Sequence, residues 1–381
     1  MKVNISTYCN NQYTCSDRSD LLNDDTVQLV LGFGAKQLLA GDNMYLQLRG
    51  QYPNADIVLC STSGEIFEDK VTDNSVSVTA IEFNNTTVKT ASVNLGDFNN
   101  DGFAAGASLV RRLQTTNQLC YIMILSDGGK VNGSELVNGI NSCVQNNIPV
   151  TGGLAGDGSS FISTIVGLNG APVSGKIVAV AFYGTHLKIA HGSMGGWEMF
   201  GPERIVTKSI ANELFEINGE NALEVYKKYL GTYANELPGS ALLFPLSVKL
   251  AAGSEPVVRT ILQIDDEKKS MVFAGDVPEG SPVRFMKANF DKLIGAASEA
   301  ALQSVEQTHG SPRLAILISC VGRKLILGSR TEEEVEAVYE AFGKRTLLTG
   351  FYSYGEIAPL AAKTKCELHN QTMTITTFDE I

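Results

Sequence analysis

Apolar residues recur along this chain in short, unbroken runs separated by polar, glycine-bearing stretches. The clearest runs are Val27 to Phe33, Cys120 to Leu125 and Leu314 to Cys320, rich in Leu, Ile and Val. A run of this length with no polar alternation predicts a strand buried on both faces. Each run opens a longer plan. A helical stretch follows, then a second strand ending in a small-residue loop, then a last strand. The last strands are Ser75 to Phe83, Ile177 to Phe182 and Thr372 to Phe378. Three segments sharing one plan read as an internal repeat. The fold class expected is mixed α/β (α+β): two lobes built from repeated strand-helix-strand-strand units, with β-sheets covered by helices.

Local signals mark the helices. Thr331-Glu332-Glu333-Glu334 has capping-box spacing, with Thr331 as N-cap and Glu334 returning to its backbone N–H. Val335, Val338 and Phe342 fall on one face, and Gly343 supplies a left-handed stop. Asn132 or Ser134 is expected to cap a helix reaching about Gln145. Between the second and third units, His191 to Trp197 reads as a glycine-rich turn. Asn221 to Tyr229 reads as a helix closed by Gly231. Ala241 to Leu246, Val257 to Ile264 and Ser270 to Ala274 read as strands, and Ala296 to Val305 as a helix. A domain boundary is placed between Gly231 and Ser240.

Composition narrows the function. The chain has 381 residues, 44% hydrophobic and 19% charged, with a formal net charge of −11. Its longest basic groups are pairs such as Arg111-Arg112 and Lys268-Lys269, so it lacks the clustered cations that nucleic acid or an anionic membrane surface requires. No run of about 18 apolar residues occurs, so no membrane insertion is expected. The N-terminus has no signal-peptide core, and seven cysteines, an odd number, suit reduced thiols; a cytoplasmic location is expected. No P-loop, Gly-x-Ser-x-Gly elbow or His-x-x-x-His is present. Gly152 to Gly156 lacks the helix that a dinucleotide fingerprint opens.

Candidate chemistry gathers at strand ends, where a rigid sheet presents its loops. A glycine followed by an acid closes the second strand of every unit: Gly64-Glu65, Gly156-Asp157 and Gly355-Glu356. Capping of local N–H groups is the plain explanation for each, and a shared ligand site is the alternative. In the third unit, Cys320 and Arg323 end the first strand, Tyr354 and Glu356 flank the second, and His369, Asn370 and Met373 open the last. If these strands are neighbours, the side chains converge at one end of the sheet. Arg323 suits a ligand carboxylate or phosphate. Two other readings stay open: nucleophilic chemistry by Cys320 with His369, or a structural Arg323–Glu356 ion pair with His369 satisfied nearby.

Several of these motifs, in order, resemble FIST (F-box and intracellular signal transduction) proteins. They are Leu59 to Ile66, Thr151 to Gly158, Gly195-Gly196-Trp197 with Phe200-Gly201-Pro202, Ser319 to Arg323, and Gly350 to Ile357 with His369 to Met373. The resemblance implies a FIST N-type sensory domain over 27–229 and a FIST C-type ligand-binding domain over 230–376. It implies an intracellular sensor of a small-molecule ligand that modulates a separate histidine kinase or other signalling protein, and no enzyme. One branch of the family binds haem and senses nitric oxide, which makes haem the leading ligand expected; the alternative is a polar metabolite such as an amino acid. For haem b, His369 is the expected ligand and His191 the alternative. No Cys-x-x-Cys-His occurs for covalent attachment.

Overall fold

The computed structural model describes residues 1–113, 118–145, 148–250, 255–308, 310–359 and 365–381. Each buried apolar run forms a central strand, and all three pair in the same way. Leu29–Gly34 lies parallel to Asp56–Ser61 and antiparallel to Val76–Glu82, which pairs in turn with Lys2–Cys9. Leu119–Ser126 lies parallel to Val150–Leu154 and antiparallel to Lys176–Tyr183, which pairs with Thr87–Asn94. Leu314–Cys320 lies parallel to Leu347–Ser353 and antiparallel to Met373–Glu380, which pairs with Leu187–Met194.

The stretch between the second and last strands of each segment then leaves for a neighbouring sheet. Glu65–Phe67 of the first segment pairs with Leu347–Ser353 of the third. Gly355–Pro359 of the third pairs with Val150–Leu154 of the second. Val166–Leu168 of the second pairs with Asp56–Ser61 of the first. The exchange closes a ring of three six-stranded sheets.

Strand periodicity explains how the ring is filled. Leu29, Leu31 and Phe33 face a central core together with Tyr121, Met123 and Leu125 and with Leu314, Ile316 and Ile318. The intervening residues point outward under helices, because successive side chains alternate between faces. Ile122 and Ile124 pack with residues of helices Gly102–Arg112 and Gly133–Asn141. Ala315 and Leu317 pack with residues of helices Phe290–Thr308 and Thr331–Ala341. The first sheet carries helix Asn43–Gln51. A separate eight-stranded sheet forms the second lobe, with its own core under helix Ala222–Leu230. Strands Glu198–Ile210 and Glu213–Ile217 belong to that sheet, whereas residues 314–380 build the ring, so segments 27–229 and 230–376 share three of the four sheets.

Some local expectations are corrected. His191 to Met194 is strand, not turn, within Leu187–Met194. Ala241 to Leu243 is a 3-10 turn, and the strand begins only at Leu246. The capping box at Thr331 does not form. The Thr331 hydroxyl donates to Gly328 O at 2.6 Å, while Glu334 is drawn inward by Arg323. A buried guanidinium holds a carboxylate more strongly than one exposed backbone N–H does.

Candidate functional site

The strand ends of the third segment do bring polar side chains inward, but in a packed interior. Arg323, on helix Val321–Leu327, is fully buried. Its guanidinium donates to Glu334 Oε2 at 3.0 and 2.8 Å, to Gly195 O and Leu293 O at 2.7 Å each, and to Gln371 O at 3.4 Å. The other Glu334 oxygen accepts from Ser319 Oγ at 3.2 Å and Tyr352 OH at 2.7 Å. Trp197 Nε1 donates to Gln371 O at 2.9 Å. The motif residues Gly195, Trp197, Arg323 and Gln371 thus form one clasp, which ties helices Phe290–Thr308 and Thr331–Ala341 to the third sheet. Arg323 pairs with Glu334, not Glu356, and its donors are used within the protein.

Glu356 and His369 stand opposite each other on paired strands of the second sheet. Glu356 accepts from Ser353 Oγ at 2.6 Å and from Thr372 N and Oγ1 at 3.2 and 2.9 Å. Burial pushes its carboxyl up to about 8. His369 Nε2 lies 3.0 Å from Ala358 O, and burial pushes the ring down to about 4. Asn370 donates to His369 O at 3.0 Å, and Met373 is buried among the apolar residues outside the third sheet. Cys320 is buried, which raises its thiol. The expected convergence is partial: Glu356 and His369 are opposite each other, whereas Arg323 is taken by Glu334. The chain turns at Tyr354 from the third sheet into the second, so Glu356 and His369 stand on strands of the second sheet, while Arg323 stands on the helix that follows the first strand of the third segment.

A true cleft lies beside this interior. It encloses about 630 Å³ and is walled by all three segments. The first supplies Lys36, Ser63, Gly64, Glu65 and Asp73; the second, Asp157 to Ser160; the third, Lys324 and Thr331. Two of the three glycine-acid loops therefore meet there. Gly156 permits this closeness, since a methyl group on it would strike Ser63 Oγ. Gly64 has φ +134°, and a side chain there would overlap the Lys324 ammonium.

Charges of both signs line the cleft. Lys324 pairs with Asp73, donates to Ser63 O at 2.9 Å and lies 5.6 Å above the Tyr352 ring. Lys36 meets the Ser163 hydroxyl and, among the described residues, forms no ion pair. Asp157 accepts from Ile162 N at 3.0 Å and Ser163 N at 2.8 Å, and its other oxygen accepts from Tyr354 OH. Glu65 repeats the Glu356 arrangement. It accepts from Thr62 Oγ1 at 2.5 Å and from Ser75 N and Oγ at 3.1 and 2.7 Å, and burial pushes it up to about 7. Sequence reasoning passed over Lys36, Lys324 and Asp73. The two lysines carry a readable signal, for each follows the first strand of its segment within a few residues, as Lys130 does in the second.

Cys320, Arg323, Glu356, His369, Asn370 and Met373 do not line this cleft. The residues expected to hold haem do not fit one. The His369 ring is engaged and enclosed, and His191 is buried on strand Leu187–Met194, where burial lowers it. Among the described residues, no group of three His, Cys, Asp or Glu side chains is placed to hold a metal ion. No helix of the described residues is long and apolar enough to cross a membrane.

Residues 28–220 match the FIST N domain and residues 222–359 the FIST C domain. No curated protein matches the chain. One solved structure, "Cyanuric acid hydrolase: evolutionary innovation by structural concatenation", is similar over the whole of both chains, at 8% identity and a TM-score of 0.35. With both modules in order and nearly the whole chain between them, the protein belongs to the FIST family of signal-transduction sensory domains, which bind small ligands.

Proposed function

We propose that the protein senses a small polar metabolite of the amino-acid class in the 630 Å³ cleft and passes its occupancy to a separate signalling protein, such as a histidine kinase, in the cytoplasm. The observation that carries this reading is the presence of opposite charges in one cleft. Lys36 has no carboxylate partner among the described residues, and Asp157 stands on the loop that Lys36 touches through Ser163. A ligand carboxylate suits the ammonium, and a ligand ammonium suits Asp157, which forms no ion pair among the described residues. Cys320 supports binding over turnover, because a buried thiol with a raised pKa offers no nucleophilic thiolate.

A thermal-shift panel of the common amino acids tests the reading. A ligand that binds only the native state stabilises it by mass action, by about 2.7 kcal/mol at a hundredfold excess over Kd, and so raises the melting temperature. At least one amino acid is expected to do so. Lys36→Ala and Asp157→Asn are each expected to abolish the shift, and Lys36→Ala should leave the ligand-free melting temperature nearly unchanged. A shift that survives both substitutions removes the ligand from this cleft.

Haem sensing of nitric oxide, with His369 or His191 as ligand, is the family's other reading. It requires the chosen ring to leave its buried setting. Protein saturated with haemin that develops no Soret band eliminates it, and a band lost in His369→Ala alone would assign the ligand.

A further inference from the structure

A second cleft, of about 390 Å³, differs in character from the first. Its walls include Leu154, Phe161, Leu262, Phe273 and Tyr354 beside the backbone of residues 128–133. Leu154 and Phe273 are buried and form an apolar floor, whereas Phe161 and Leu262 are 48% and 50% exposed at the mouth. The Phe161 ring stacks on Tyr354 with centroids 4.6 Å apart and planes 15° apart. That placement is costly, for Phe161 has φ +53°, a region that bulky residues avoid. It is held there by its own N–H, which donates to Tyr354 OH at 3.1 Å, and by Asp157, which takes the next two N–H groups. The chain thus sustains local conformational strain that keeps an aromatic face at the mouth of a cleft instead of in the core.

Charge completes the description. Lys130 is the sole charged residue among those that line this cleft, and no carboxylate lies within ion-pair distance of it among the described residues. In a chain of net charge −11, an unpaired cation beside an aromatic platform and an apolar floor selects for a ligand with a flat ring and a negative group. We infer that this cleft binds a small aryl carboxylate, with its ring against Phe161 and Leu262 and its carboxylate at Lys130. No residue lines both clefts, although Asp157 of the polar cleft holds the loop that carries Phe161.

Calorimetric titration with indole-3-carboxylate is the test, with indole-3-carboxamide and cyclohexanecarboxylate as the uncharged and non-planar controls. Saturable binding at one site is expected for the aryl carboxylate, with both controls weaker by about tenfold or more. Lys130→Ala is expected to weaken it about tenfold, and Phe161→Ala about threefold to tenfold. Both side chains reach solvent, so both variants should fold, and circular dichroism checks that they do. Lys130→Glu should remove binding altogether. No saturable binding to the wild type overturns the inference, as does affinity unchanged in both Lys130→Ala and Phe161→Ala. A loss produced by Lys36→Ala in their place puts the probe in the polar cleft and overturns it too, without touching the amino-acid reading.

Discussion

Glu65 and Glu356 perform the same task in two segments. Each accepts the hydroxyl three residues before it, and both the N–H and hydroxyl of the Ser or Thr that opens the last strand. The consequence is a buried carboxyl. Glu356, raised by burial from an ordinary value of 4.5 to about 8, binds a proton more tightly folded than unfolded. Stability from this group is therefore full below about pH 4.5 and is lost as pH rises through about 8. Glu356→Gln removes the ionisation but keeps the shape, with its oxygen toward Thr372 and its amide toward Ser353. Chemical denaturation from pH 5 to 9 should show a flatter stability curve in Glu356→Gln than in the wild type; equal slopes would refute the assignment. His369 acts at the other end. It is lowered by burial from 6.5 to about 4, so its contribution is present above 6.5 and lost as pH falls through 4. The sequence displayed these residues openly, as a Gly-acid pair and a strand-opening His. It did not display that their partners lie inside the protein, because a side chain's burial depends on which sheet its strand joins.

At the scale of elements, helix Thr331–Ala341 is set by one interior ion pair. Val335, Val338 and Phe342 are buried as their spacing foretold, and Gly343 ends the helix at φ +66°. Glu334 was expected at the helix cap and instead reaches Arg323 at 2.8 Å, with both side chains sealed from water. Removing one member strands the other's charge in a low-dielectric interior. Arg323→Ala should lower unfolding stability by about 3–5 kcal/mol, and urea denaturation measures it. Arg323→Ala combined with Glu334→Ala should recover part of that loss. A double variant as unstable as the sum of the singles would argue against a coupled pair. The clasp explains why the motif around Arg323 looked functional from sequence. Gly195 and Gln371 accept from the guanidinium and Trp197 donates to the same Gln371 carbonyl, all from distant stretches, and a motif of that kind marks structure as readily as binding.

Across the whole molecule, the central strands and their covering helices were legible, because two-faced burial and helical spacing are local properties of the chain. The hand-over of strands between segments was not, since antiparallel pairing across hundreds of residues leaves no local trace. Its energetic meaning is direct. Residues 1–221 alone would lack the central strands of the third sheet, and residues 222–381 alone would lack Val150–Leu154 and Leu187–Met194 as partners. Neither fragment is expected to melt cooperatively by circular dichroism, whereas the two together should recover one transition. A cooperative, native-like melt from either fragment by itself would contradict this.

The three short travelling strands also decide where damage is felt. A proline at Gly167 would injure a strand of the second segment, yet the layer left frayed would be the one built on Asp56–Ser61, about a hundred positions earlier. Faults in this molecule propagate round a circle, so a harmful substitution should be judged by whose edge it guards and not by its neighbours in the chain.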